Sequence, residues 1–282
     1  MKPALVMMRL TFLESVRRRI ALAAFVLGLL FLILYGIGLH FIHKETLSEA
    51  GRPGAAFIRS QVFNFFATAG LYAVNFLTIA MGVLISADTL AGEINSGTIQ
   101  TIASKPVRRL DIVAGKWLGF TGLLAIYLLL MAGGLLTIVY FVTGYQVRNV
   151  AECLTMMYLA SILIMSVSVA CSSLFSTLAT GGIVFGLYGI GFIGGWVEQI
   201  GAALKNQTAI NVGILSSLII PTEAIWKRAA YEVTSPVTRS LGIEAGPFGA
   251  ASVPNPTMVL YALVYTAVML VIAVRQFSKR DL

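Results

Sequence analysis

The chain has 282 residues, of which 58% are hydrophobic and 11% charged, and its mean hydropathy is +0.88. A soluble domain has about 25% charged residues, so the composition excludes an ordinary soluble protein and indicates an all-α polytopic membrane protein. The formal net charge of +8 does not require a nucleic-acid partner, because Lys and Arg beside membrane helices on the cytoplasmic side produce the same balance.

Residues 1–19 are predicted to form an amphipathic helix along the inner membrane surface. Leu5, Met8, Phe12 and Val16 recur at steps of three and four residues, which places them on one apolar stripe of a helix. A plain cytosolic extension of the first span is the alternative.

Six apolar runs are long enough to cross the hydrocarbon core, which takes about 20 residues of helix. They cover residues 20–42, 62–86, 117–142, 154–175, 179–197 and 258–274. A shorter run over 210–220 contains polar residues and ends at Pro221. We interpret it as part of a re-entrant or interfacial helical hairpin in an extracytoplasmic loop over 198–256.

Basic residues determine the predicted orientation. They cluster before the first span, between the second and third spans, and after the sixth span. Six spans place all three groups on one side, and the positive-inside tendency makes that side cytoplasmic. We therefore expect a multi-pass protein of the inner (plasma) membrane, forming one transmembrane domain over 1–282, with residues 1–19, 87–116 and 275–282 in the cytoplasm.

The loop over 87–116 is the most informative stretch, because its polar residues follow a distinct order. Gly97 breaks a helix, Thr98 is a favourable N-cap and Pro106 ends a helix. The pattern predicts a short helix of about two turns, with Ile99 and Ile102 on one face. That face could fill a groove on a soluble partner, or the segment could be a connector that packs on the membrane face.

This loop and the surrounding spans resemble the membrane subunit of type 2 ABC transporters. The resemblance implies a cytosolic coupling helix that docks a separate ATPase. It assigns docking to the loop residues that match the family's order or form the apolar face: Glu93, Gly97, Thr98, Ile99, Ile102, Ser104, Lys105, Pro106 and Arg109. The long fifth-to-sixth loop and the short spans are similar to a subgroup associated with maturation of a copper enzyme.

ATP hydrolysis is expected in a partner chain. The Gly115-Lys116 pair lacks the upstream glycine of a phosphate loop and is followed by Trp117, so it does not fit that motif. We expect no cofactor in this chain, with ATP and magnesium bound by separate ABC ATPase subunits. A six-span unit is half of the usual transporter, which implies a second permease copy within the lipid bilayer, in a homodimer or in a pair with a similar chain.

Two other classes of protein compete with a transporter subunit, which we expect to be an exporter. A membrane-embedded enzyme would need a catalytic constellation at membrane depth, and the carboxylates lie in loops or at span ends. An assembly or structural factor that binds an ATPase without moving substrate remains the alternative.

The second span carries a polar stripe on one helical face. Polar side chains that face lipid are costly, so this face is expected to meet protein or water. We predict that it lines the translocation path, with interhelical hydrogen bonding as the alternative. The stripe contains Asn64, Thr68, Asn75 and Thr78, followed by Gly82 and Ser86.

The fifth span is rich in glycine at a spacing that lets helices approach closely. The pairs are Gly182 with Gly186 and Gly191 with Gly195, and we predict that they pack against another helix. His40 and His43 are expected to be interfacial residues rather than metal ligands. Cys153 and Cys171 are about 27 Å apart along a helix, too far for a disulfide.

The topology can be tested by cysteine labelling in a background without Cys153 and Cys171. Gln100→Cys and Arg280→Cys should react with a membrane-impermeant maleimide only after the cytoplasmic face is opened. Arg148→Cys, between the third and fourth spans, should react from outside and is the matched control. Labelling of position 100 or 280 in intact cells would contradict the six-span topology.

Overall fold

The computed structural model describes residues 3–48, 54–92, 108–235, 248–249 and 252–279. Within these ranges the chain is helical and contains no β-strand. The helices are α1 (Pro3–Arg17), α2 (Arg19–Ser48), α3 (Ala55–Ser86), α4 (Arg109–Thr143), α5 (Val150–Ser172), α6 (Thr177–Ala203), α7 (Gln207–Ile219), α8 (Thr222–Val233) and α9 (Thr257–Lys279).

Six of these helices are long and apolar enough to cross a membrane: α2, α3, α4, α5, α6 and α9. The prediction of six spans is therefore confirmed, although most of the helices extend beyond the predicted runs. Helix α4 begins eight residues before the predicted start at Trp117, because a polar helical turn outside the membrane leaves no signal in hydropathy. We call the end where α3 stops and α4 starts the loop side, and the opposite end the hairpin side.

Helices α3 and α5 form the centre of the bundle, and half or more of the residues in each are buried. Helices α2 and α9 lie at the periphery and expose large apolar side chains such as Leu22 and Leu260. Tyrosine hydroxyls join neighbouring helices: Tyr127 of α4 donates to Ala24 of α2, and Tyr158 of α5 donates to Thr121 of α4. Lipid cannot satisfy backbone polar groups, so such bonds are made inside the protein.

Helix α7 descends from the hairpin side along α6. Its first turns lie against Gly201, and the residue that follows it, Ile220, lies against Gly191. Ten residues of helix separate those two glycines, which corresponds to a depth of about 15 Å. The end of α7 therefore reaches roughly the middle of a hydrocarbon core about 30 Å thick.

Helix α8 returns toward the hairpin side after a bend of 106° between α7 and α8. Its first turn contacts Tyr72 of α3 through Glu223, and its last residue, Val233, bonds to Asn64. Asn64 is eight residues nearer the hairpin side than Tyr72, about 12 Å of helix. Since both open ends lie on the same side, these contacts favour the re-entrant hairpin over a broken seventh span.

Helix α1 packs across α4 through a pair of glycines. A Cβ atom at Gly115 would lie 2.7 Å from the Ala4 carbonyl oxygen, and one at Gly119 would lie 2.9 Å from the Met8 carbonyl oxygen. The buried face of α1 is centred on Thr11 and Ser15. The predicted stripe is divided: Leu5 and Val16 are exposed while Met8 and Phe12 are partly buried. An interfacial position of α1 stays a prediction.

The α1–α4 contact can be tested with a pair of Gly→Ala changes on the same helix. Gly115→Ala should force α1 away from α4, because its Cβ would meet backbone of Ala4. Overpacking of this kind costs about 1–3 kcal/mol, and the expected result is a lower thermal unfolding midpoint in detergent and faster proteolysis of α1. Gly133→Ala is the matched control, since no described atom lies within 4 Å of its added Cβ. Equal behaviour of the two variants would contradict the close contact.

Candidate functional site

The polar loop leaves the bundle between α3 and α4, and the structure describes both of its ends. Its central part, residues 93–107, lies outside the described residues. The predictions for Glu93, Gly97, Thr98, Ile99, Ile102, Ser104, Lys105 and Pro106 therefore stay predictions. We call the described ends, residues 87–92 and 108–116, the loop base.

Lys116 closes the loop base from the α4 side. Its side chain is buried, and its Nζ donates to the carbonyl oxygen of Thr89 at 3.1 Å. Burying an ammonium group is costly unless it is paired with an acceptor. The bond therefore fixes the first turns of α4 against the turn that follows α3, at the point where the loop begins.

Asp88 links the loop base to two other helices. Its carboxylate accepts from Arg18 Nη1 at 3.3 Å and from Thr177 Oγ1 at 2.9 Å. Arg18 lies at the bend between α1 and α2 and also pairs with Glu14 at 2.7 Å, while Thr177 begins α6. The Arg18–Asp88 pair is partly exposed, so its contribution to stability is at most about 1 kcal/mol. Its importance is positional, because one carboxylate joins three parts of the bundle.

Arg109 fastens the other end of the loop base to the last helix. Its Nη1 donates to the carbonyl oxygens of Phe277 at 2.9 Å and Ser278 at 3.2 Å, and its guanidinium lies 5.9 Å from the Phe277 ring centroid. The last carbonyls of a helix lack intrahelical donors and attract cations. The described contacts of Arg109 are thus within the chain and fit a bracing role; a direct docking role for it stays a prediction.

The sequence analysis did not identify Asp88, Arg18 and Thr177 as partners. They are separated by 70 and 89 residues, so no local pattern connects them. Lys116 did carry a signal, because it directly precedes the apolar run that starts at Trp117, and a lysine buried at that position needs an acceptor. The Gly115-Lys116 pair is explained by its contacts. Gly115 allows the backbone of α1 to pack closely on α4, and Lys116 donates a hydrogen bond to the Thr89 carbonyl oxygen.

All four predicted path residues on α3 are buried inside the protein. Asn64 donates to Tyr145 Oη at 2.8 Å and to the Val233 carbonyl oxygen at 3.0 Å. Thr68 and Thr78 each donate to the carbonyl four residues earlier in α3. Asn75 Oδ1 is buried and has no hydrogen-bond partner in the described part of the chain. The stripe faces protein rather than lipid, and lining of a path stays a prediction for it.

A second polar cluster, at the level of the first turn of α8, holds α8 against α3 and α6. The Tyr72 hydroxyl lies 3.2 Å from both carboxylate oxygens of Glu223 and also accepts from Trp196 Nε1 at 3.2 Å. The Tyr72 ring packs on Trp226 with centroids 4.9 Å apart. Sequence reasoning did not predict this cluster. Its sequence signal was a glutamate, Glu223, placed just after the apolar run that ends at Pro221.

Tyr145 extends this cluster to the connection between α4 and α5. It accepts from Asn64, and burial raises the pKa of its phenol above the ordinary value. The group therefore stays neutral at physiological pH. The hairpin is thus bound to the second span at two depths, through Glu223 and through Val233.

The glycine pairs of α6 behave differently from one another. Gly191 and Gly195 lie against the hairpin: added Cβ atoms would meet Ile220 at 2.6 Å and Glu223 at 2.9 Å. Gly182 and Gly186 have no described atom within 4 Å of an added Cβ. Contact with another helix therefore stays a prediction for Gly182 and Gly186.

Histidine and cysteine side chains show no cluster in the described ranges. No group of three or more His, Cys, Asp or Glu residues there could hold a metal ion. The His43 ring instead stacks near Phe63, with centroids 5.6 Å apart. Cys153 and Cys171 are both free thiols.

A family model described as ABC-2 family transporter protein matches residues 5–282. The chain belongs to the ABC-2 transporter family. No curated protein matches it. The family covers nearly the whole chain, so this ABC-2 permease is a multi-pass membrane component of an ABC transporter, and its family works with ABC ATPase subunits. The ABC-2 permease contributes membrane helices to transport, and catalysis is not typical of this family.

Asn75 provides a test of the stripe in the permease. Asn75→Leu should change transport, or the ATP turnover of the reconstituted complex, while membrane insertion stays normal, because it replaces a buried amide with an apolar side chain of similar size. Phe76→Leu is the matched control, since Phe76 is the next residue of α3 and is 43% exposed at the bundle surface. Unchanged turnover in Asn75→Leu would favour a purely structural role for the stripe.

Proposed function

We propose that this permease is the membrane half of an ATP-driven exporter. Two copies would pair in the inner membrane with both termini in the cytoplasm, and separate ATPase subunits would dock on residues 93–109. The observation that supports this best is the loop base, where buried or helix-terminal polar bonds connect the two ends of one loop to α1, α2, α6 and α9.

This arrangement suits an element that receives a push from a soluble partner. A loop attached to the bundle by backbone alone would absorb a displacement by bending. Here Lys116 and Thr89 hold the two ends together, and Asp88 and Arg109 connect them to other helices. A displacement of the docking helix would then move several spans together instead of deforming one connection.

The re-entrant hairpin of α7 and α8, at the opposite end of the bundle, is the element that a movement of the spans would displace. Helices α3 and α6 extend from the loop base on one side to the hairpin on the other. Movement of these two helices relative to each other would change how α8 is held, and the re-entrant hairpin would serve as the extracytoplasmic gate. We propose transport outward from the cytoplasm, which fits a gate on the extracytoplasmic side.

The competing proposal is a structural or assembly factor that binds an ATPase without moving substrate. It would use the same loop base, so binding alone does not separate the two functions. ATP turnover that responds to the permease and vectorial movement of a substrate into vesicles would support the transporter. Membership of the subgroup associated with copper-enzyme maturation stays a prediction.

The docking proposal is tested by the double change Ile99→Ser with Ile102→Ser. Burying an isoleucine side chain contributes about 1.5–3 kcal/mol, so loss of both should weaken binding of the ATPase by at least tenfold. The measurements are co-purification of the co-expressed ATPase and ATP turnover of the complex in proteoliposomes.

The matched control is Ile99→Val with Ile102→Val, which keeps an apolar face and should retain most binding. Ile58→Ser is a second control, because Ile58 is exposed on the hairpin side of α3. Co-purification and turnover that are equal in the serine variant and the unchanged protein would show that this loop is not the docking element.

A further inference from the structure

A cavity of about 220 Å³ lies between the hairpin and the hairpin-side end of α9. Part of its wall is apolar, formed by Ile214, Leu218 and Met258. The remaining wall contains an ion pair and the hydroxyl groups of Ser217 and Ser252. This cavity is separate from the loop base and from the polar stripe of α3.

The ion pair is formed by Lys227 of α8 and Glu198 of α6. The Lys227 Nζ lies 2.7 Å from Glu198 Oε2, at angles that depart from hydrogen-bond geometry. The other carboxylate oxygen, Oε1, accepts from Ser252 Oγ at 2.8 Å. Lys227 is 2% exposed, and an ammonium group has three N–H donors. Within the described ranges, Glu198 is its ion-pair partner, and the buried Glu223 also interacts with it electrostatically.

Ser217 supplies a second buried donor at the same cavity. Its side chain is 5% exposed, and its Oγ has no hydrogen-bond partner among the described residues. The adjacent Ser216 differs, because its hydroxyl donates to the Gly213 carbonyl oxygen of its own helix. Buried donors in proteins are almost always paired, so Lys227 and Ser217 together call for an occupant with acceptor oxygens.

The rim of the cavity has two different sides. Ile214 and Leu218 are 47% and 48% exposed on the surface of α7, whereas Ser252 and Asn255 are exposed polar residues. Glu198 is five residues from the end of α6, about 8 Å, and Met258 is in the first turn of α9. The cavity therefore extends from the level at which α9 begins inward to Ser217, three residues before the turn at Ile220, and its rim suits an amphiphile.

Charge restricts the occupant further. The Lys227–Glu198 pair is neutral overall, and a net charge added to a buried site is costly unless it is paired. A headgroup with one phosphate and one ammonium is also neutral. Its phosphate oxygens can accept from Lys227 and Ser217, and its ammonium can donate to Glu198.

We propose that this cavity binds the headgroup of a zwitterionic phospholipid whose ammonium carries N–H donors, as in phosphatidylethanolamine. Its acyl chains would run past Leu218, which is nearer the centre of the membrane than Ser217. The lipid would brace the hairpin against α9. This proposal rests on the proposed function in one respect, the membrane leaflet: the lipid lies in the outer leaflet when both termini are cytoplasmic.

The test is native mass spectrometry of the full permease–ATPase complex, titrated with phosphatidylethanolamine or phosphatidylglycerol. The complex should retain phosphatidylethanolamine preferentially. Ser217→Ala should weaken its binding by about tenfold, since one bond to a charged oxygen is lost. Ser216→Ala is the matched control and should bind as the unchanged protein does. Both variants keep the ion pair, so folding is not at risk from an unpaired buried charge.

Four results would overturn the proposal. Equal retention of phosphatidylglycerol would remove the zwitterion requirement. Displacement of the lipid by soluble glycerophosphoethanolamine at equal concentration would show that a free headgroup, not a membrane lipid, is the ligand. Absence of lipid from the complex would show that only water occupies the cavity, and equal binding by Ser217→Ala would show that the retained lipid lies elsewhere on the complex. None of these outcomes depends on ATP turnover, so they are distinguishable from a failure of the transport proposal.

Discussion

Hydrocarbon offers no hydrogen bonds, and this constraint shapes every part of the molecule. It makes the spans helical, because a helix satisfies its own backbone. It also explains why the one described turn at membrane depth, between α7 and α8, is enclosed by protein: Ile220 is fully buried and packs against Gly191. The charged groups of the hairpin are likewise paired with neighbours, Glu223 with Tyr72 and Lys227 with Glu198.

The number and order of the spans were predictable, because bilayer thickness imposes a length that hydropathy detects. The ends were not. Helix α4 continues to Arg109 through residues that hydropathy counts as loop. The packing of α1 was only partly predictable, since its buried face depends on Gly115 and Gly119 of another helix rather than on its own apolar stripe. The hydropathy pattern of a helix shows which of its residues avoid water, but it does not show which neighbouring helix those residues pack against.

In the candidate site, too, features set by neighbouring residues could be predicted from the sequence, and contacts between distant residues could not. The residue order of the polar loop was sufficient to predict the family, which the match over residues 5–282 confirms. The bonds that hold the loop base were beyond reach, because Asp88 meets Arg18 and Thr177 only after folding. One polar cluster lies at the loop-side ends of α3 and α6, and the other lies near the middle of α3 and in the hairpin-side half of α6, with mostly apolar helix between them. Such helices transmit displacement as rigid bodies because their interiors are densely packed.

Arg109 and Lys116 lie seven residues apart on one continuous helix, α4. Seven residues are almost two full turns, so both side chains leave the helix on nearly the same face, about 10 Å apart along its axis. Loss of one residue between them would shorten that distance by about 1.5 Å and turn Arg109 by about 100° away from Phe277, while Lys116 keeps its bond to Thr89. The spacing of these two residues therefore restricts insertions and deletions in this part of α4 more strictly than the chemistry of the residues between them.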